Sequence, residues 1–142
     1  MADIRFYHTL ARSPRDILPD LLEKARAKGQ SIAVRAAHEE DVKNVDDALW
    51  TFSAESFLPH GTKETDLIRI GAGAAISAPI LFLLPHAEEG VGADVTLCCR
   101  LFDGRNEAEV SAARASWKTM KEAGHNLTYW QQSESGVWEQ KA

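Results

Sequence analysis

Apolar positions change their period several times along the first fifty residues. "DIRFYHTL", residues 3–10, predicts a strand with Ile4 and Tyr7 or Phe6 and His8 on its faces. Ile17, Leu18, Leu21, Leu22 and Ala25 then recur at helical spacing, after a start at Ser13-Pro14 or Asp16 and before a stop at Gly29. Pro19 fits that helix if Asp16 is the cap, because the first turn has no internal use for its N–H. "SIAVRAA" reads as a short strand, and "EEDVKNVDDALW" returns to helical spacing through Val42, Val45 and Leu49. At roughly 100° per residue, Trp50 falls about 105° from the centre of that stripe, at its rim.

An aromatic segment follows. In "DDALWTFSAESFLPHG", Trp50, Phe52, Phe57 and Leu58 sit among the turn-formers Ser53, Pro59 and Gly61. Three strand candidates come next, "DLIRI", "PILFLL" and "DVTLCCRLF". A last helix is expected from about Asn106 to Ala123, with Asn106 and Glu109 as a capping pair and Gly124 as the stop. This alternation predicts an α/β fold, three layers with a largely parallel sheet. Residues 1–128 form the expected domain. Residues 129–142 form a polar C-terminal tail whose Tyr129, Trp130 and Trp138 make it either loose or a strap on the body.

Composition narrows the function. At 142 residues the chain suits one domain with a real core, and a net charge of −5 argues against general attraction to nucleic acid. "MADIRFYHTL" lacks a signal-peptide run, and "APILFLLP" is too short to cross a bilayer, so a soluble cytoplasmic protein with no membrane contact is expected. Cys98 and Cys99 are adjacent and should point to opposite faces of a strand as buried thiols.

Catalytic chemistry finds little support. "IGAGAAI" holds Gly71 and Gly73, but the third position of a dinucleotide fingerprint falls on Ile76, and Pro79 interrupts any long helix after it. None of the five histidines, His8, His38, His60, His86 and His125, forms a metal-binding i, i+4 pair. His60 suits a turn, and Asp46 and Asp47 diverge on their helix as a solvated face. No catalytic residue, metal or cofactor is expected.

The last helix carries more information. With Val110 at 0°, Ala113, Trp117 and Met120 fall at roughly 300°, 340° and 280°, while Lys121, Arg114 and Lys118 fall at roughly 20°, 40° and 80°. A basic arc therefore borders an apolar one. Such a helix is either an ordinary amphipathic element or a site for a peptide that joins negative charge to an apolar end. The same residues could stack single-stranded nucleic acid, against which the chain's acidity counts.

"DDALWTFSAESFLPH" and "ARASWKTMKEAGHNL", in that order and spacing, resemble the chi subunit of bacterial DNA polymerase III over roughly residues 3–127. The resemblance implies a Rossmann-like fold without bound nucleotide and a non-catalytic accessory subunit. It implies pairing with the psi subunit of the clamp loader and binding of the acidic C-terminal tail of single-stranded-DNA-binding protein, with DNA contact mainly indirect. Arg114 would engage the tail's terminal carboxylate, beside Trp117, Lys118, Lys121 and Val110. Trp50, Phe57, Leu58 and Phe52 would dock psi or, in some bacteria, a repair helicase. Asp103 stands where the family carries an apolar residue. Two other readings stay open: a small nucleotide-dependent enzyme using the sheet edge and the Gly71–Gly73 loop, and direct binding of single-stranded DNA.

Overall fold

The computed structural model describes residues 2–50, 60–61, 68–73 and 76–141. Strand β1 (Asp3–Thr9) leads through helix α1 (Pro14–Arg26) to β2 (Ile32–Ala36) and helix α2 (Glu39–Trp50). Strands β3 (His60–Gly61), β4 (Ile68–Ala72), β5 (Ile80–Leu83) and β6 (Leu97–Asp103) follow, then helix α3 (Glu107–Glu122), β7 (Asn126–Gln132) and β8 (Trp138–Gln140). One sheet takes them in the order β3-β4-β2-β5-β6-β1-β7-β8, parallel throughout except for the β7–β8 pair. This is the largely parallel α/β architecture expected from the alternation, and it is Rossmann-like, as the resemblance implied.

Strand parity divides the core into two layers. Tyr7, Ile32, Val34, Phe82 and Leu101 face α1 and α2, where they meet Ile17, Leu18, Leu22, Val42 and Val45. Ile4, Phe6, Leu81, Leu83 and Phe102 face the other way and meet Ala113 and Met120 of α3. Helices thus cover both faces, and the sheet is the middle layer of three. Cys98 and Cys99 follow the same parity into opposite layers, both buried and both free thiols.

Helix α1 starts three residues earlier than the alternative cap, Asp16, would allow. Ser13 is the N-cap, its hydroxyl accepting from the Asp16 N–H at 3.2 Å, and Pro14 opens the first turn. Asp16 therefore lies inside the first turn, and Pro19 sits in the helix interior without an N–H to give. At α3 the Asn106 side chain accepts from the Ala108 and Glu109 N–H groups at 3.0 and 3.2 Å, as expected of an N-cap. The reciprocal half of the capping pair does not form. Glu109 Oε1 instead accepts from the Asp103 N–H at 3.0 Å, which ties the end of β6 to the helix.

Among the described residues, no helix covers the α3-side face over β2 and β5. Loop residues Ile76, Ala78, Ala87 and Val95 pack there instead. Irregular backbone over a core leaves carbonyls without ladder partners, and they must find donors. Arg35, fully buried in β2, supplies them: Nε and Nη2 donate to Ile76 O at 3.0 and 2.9 Å, and Nη1 donates to Glu88 O and Gly90 O at 2.7 and 2.8 Å. Arg100 in β6 is also buried and holds the same loop by an ion pair, Nη1 to Glu89 Oε1 at 3.1 Å.

The sequence boundary drawn at residue 128 falls inside β7. Of the two readings of the tail, the structure gives the strap: Trp138 of β8 packs edge-on against Tyr7, with ring centroids 5.3 Å apart. Gln132, the last residue of β7, is buried, and its Oε1 accepts from the N–H groups of Leu10, Ala11 and Arg12 at 3.2, 3.1 and 3.2 Å. That single oxygen fixes the turn between β1 and α1.

Candidate functional site

Burial along α3 shows which residues the helix gives to the core. Ala113, Ser116 and Met120 are buried, while Val110 and Trp117 are half-buried. The centre of the stripe therefore lies further round than Val110, and Trp117 stands at its rim against the basic arc. Arg114, Lys118 and Lys121 are exposed.

A surface pocket of ≈ 330 Å³ opens at this rim, lined by Ala113, Arg114, Trp117 and Tyr129. The β1–β7 register puts Tyr129 directly beside Phe6, on the α3 face. Trp117 meets Phe6 edge-on at 5.2 Å and Tyr129 at 5.9 Å between ring centroids. Phe102 and His8 complete the wall behind Tyr129, at 6.0 and 5.8 Å from its ring. Edge-to-face packing of this kind holds each ring in one orientation and adds about 0.5–1.5 kcal/mol per pair.

Behind the pocket, His8 Nδ1 and the Tyr129 hydroxyl share a hydrogen bond of 2.5 Å. Burial pushes the His8 imidazole below its ordinary pKa, the Arg114 charge adds to that effect, and Asp103 opposes it. Burial raises the Tyr129 phenol, with Arg114 acting in the opposite direction. Arg114 thus makes its charge felt through the wall of the pocket. Gly104 leaves room for the imidazole: a Cβ there would lie 2.0 Å from His8 Nε2 and 2.7 Å from Thr9 O.

The structure brings Arg114 and Trp117 into one pocket. Val110 packs on the α3-side core, and Val110, Lys118 and Lys121 lie outside the pocket lining. Asp103 also lies outside it, its Oδ1 accepting from the Arg105 backbone N–H at 2.9 Å and pairing with that residue's guanidinium. Sequence reasoning placed Tyr129 only in a tail that could cover part of either surface, and did not name His8 for the candidate site. The signal for Tyr129 was the alternation of Leu127 and Tyr129 onto one strand face; His8 had no local signal. Of the other surface, Trp50 is the last residue of α2, and Phe52, Phe57 and Leu58 lie outside the described residues.

The sheet's C-terminal edge holds a larger crevice of ≈ 570 Å³. Among the described residues its ionisable lining consists of Asp16, Asp41, Asp103 and Glu109 with His38 and His86, and no lysine or arginine. Such a lining repels a polyphosphate. The described part of the glycine segment lends no support to a phosphate loop either. Gly71 lies within β4 under the Ile76 side chain, where a Cβ would meet Ile76 Cδ1 at 2.5 Å, and residues 76–79 are not helical. Among the described residues no helix is long and apolar enough to cross a membrane.

The fold and the pocket define a doubly wound α/β protein with a small aromatic site, basic at its mouth. The chain belongs to the family of the DNA polymerase III chi subunit, HolC, whose model matches residues 1–128. That membership makes it an accessory subunit of DNA polymerase III and places it in DNA replication. No curated protein matched the chain.

Proposed function

We propose that this chain is a non-catalytic connector that joins the clamp loader to protein-coated single strands. One surface pairs with psi, and the other holds the acidic C-terminal tail of single-stranded-DNA-binding protein. The observation that carries the reading is the exposed Arg114 at the mouth of a pocket walled by Trp117 and Tyr129. A guanidinium holds a terminal carboxylate through two charge-assisted hydrogen bonds, while the rings take the apolar side chain next to it. Lys118 and Lys121, exposed on the same helix, attract the tail's acidic residues at longer range. DNA contact is then indirect, and the setting is the cytoplasm.

The docking surface for psi, or for a competing repair helicase, is assigned to Trp50, Phe52, Phe57 and Leu58. Helix α2 packs on the opposite face of the sheet from α3, and towards the β4 edge. The two helices are separated by the sheet itself and by roughly 15–20 Å along it.

Calorimetric titration with a tail-like peptide tests the pocket. Arg114→Ala should weaken binding by about tenfold or more, because a charge-assisted contact contributes roughly 1.5–3 kcal/mol. Unchanged affinity would remove the assignment. Co-purification of psi with Trp50→Ala or Phe57→Ala at wild-type yield would remove the second surface. The nucleotide-enzyme reading is disfavoured by the acidic crevice at the sheet edge, and no particular observation favours direct single-strand binding.

A further inference from the structure

We propose that His8 is a positioning residue of the Arg114 pocket and couples carboxylate docking to uptake of one proton. The proposal rests on the reading of that pocket as a peptide-carboxylate site. Its basis is the hydrogen bond between His8 Nδ1 and the Tyr129 hydroxyl, directly behind a pocket wall that Arg114 shares.

The groups facing His8 are few. Phe102 of β6 covers one side of the imidazole and the Tyr129 ring of β7 another, at 5.1 and 5.8 Å. Arg114 of α3 and Asp103 at the end of β6 are the charges that act on it, with opposite signs. The Gly104 backbone closes in near Nε2. A neutral imidazole that carries its proton on Nε2 accepts the Tyr129 O–H at Nδ1, and the phenol proton then points away from the pocket. A protonated ring must donate at Nδ1 instead. The phenol oxygen then accepts, and its own proton is free to turn toward a carboxylate held on Arg114.

Charge works in the same direction. With the pocket empty, burial and the Arg114 guanidinium hold the imidazole neutral. A docked carboxylate offsets the Arg114 charge and favours the imidazolium. By linkage, the group whose pKa rises on binding strengthens binding as pH falls. The proton comes from solvent and returns there when the peptide leaves.

The test uses the full chain and a synthetic peptide of several aspartates ending in phenylalanine with a free carboxylate. Titration calorimetry at about pH 6 and about pH 8, between the carboxylate and lysine ranges, should give binding about three- to tenfold tighter at the lower value. Runs in two buffers of different ionisation heat should show net proton uptake, and His8→Gln should remove both effects. Ring-proton shifts of His8 followed across pH give a second readout on the unmodified chain, whose titration should move upward when peptide saturates the pocket. An Arg114-dependent affinity with the same pH profile in wild type and His8→Gln, or a His8 titration unmoved by peptide, overturns the coupling and leaves the peptide site standing. No peptide binding at either pH, or binding that ignores Arg114→Ala, overturns the site and the coupling together.

Discussion

Arg35 and Ile76 are joined twice: the guanidinium Nε and Nη2 both donate to the one Ile76 carbonyl, at 3.0 and 2.9 Å. The same side chain holds Glu88 O and Gly90 O, so one buried cation anchors two loop segments that pack over this face. Arg35→Met keeps much of the volume and removes every donor. The expected cost is about 3–5 kcal/mol, as for a buried polar network that loses one member. Chemical denaturation measures it, and a loss below about 1 kcal/mol would mean that the loop carbonyls are satisfied by water instead.

Gln132→Ala should act at a distance in sequence. Three backbone N–H groups, of Leu10, Ala11 and Arg12, lose their acceptor together. The expected destabilisation is about 1–3 kcal/mol. Hydrogen exchange should locate it, with faster exchange at residues 10–12 than across β6. Uniform change along the chain would point to a packing defect instead.

Trp117 serves stability and the pocket at once. Trp117→Ala removes edge contacts with both Phe6 and Tyr129 and should cost about 2–4 kcal/mol. Peptide affinity should fall with it, even at temperatures where the variant is folded. Trp117→Tyr retains an aromatic wall and should bind within about threefold of wild type, a difference of under about 0.7 kcal/mol. A Trp117→Ala variant that binds peptide normally would mean that the apolar side chain rests elsewhere.

Alkaline conditions should loosen the fold through the paired cysteines. Burial pushes the Cys99 thiol up to about 12 and raises Cys98 as well. In the unfolded chain both ionise near about 8.5. Between that value and the folded ones the unfolded state binds fewer protons, so stability falls as pH rises and is fully present below the unfolded pKa. Urea midpoints should therefore drop from about pH 8.5 upward. Cys98→Ala combined with Cys99→Ala should flatten that decline, whatever its cost at neutral pH.

Local pattern carried most of the scaffold and part of the site. The spacing of Val42 and Val45 defined α2 from Glu39 to Trp50, and Asn106 and Gly124 bounded α3. The second half of β7 was assigned to the tail because the strand, between β1 and the short β8, is mostly half-buried and "NLTYWQQ" lacks a strong apolar alternation. Arg35 and Arg100 lie in strands where charge suggests solvent; only the loops above them, distant in sequence, make their burial possible. Arg114 was legible because charge beside an apolar arc is a property of one helix. Tyr129 and His8 were not, since the register of β1 against β7 decides that they meet.

Turns that follow the first strand of a doubly wound sheet are where such proteins commonly seat a phosphate, on convergent backbone N–H groups. Here that seat holds an amide oxygen of the same chain. Gln132 is a surrogate ligand, supplied from just beyond the 128 residues that match the family. An exchangeable cofactor would make the first turn respond to metabolite supply. A covalently tethered one keeps it set at all times.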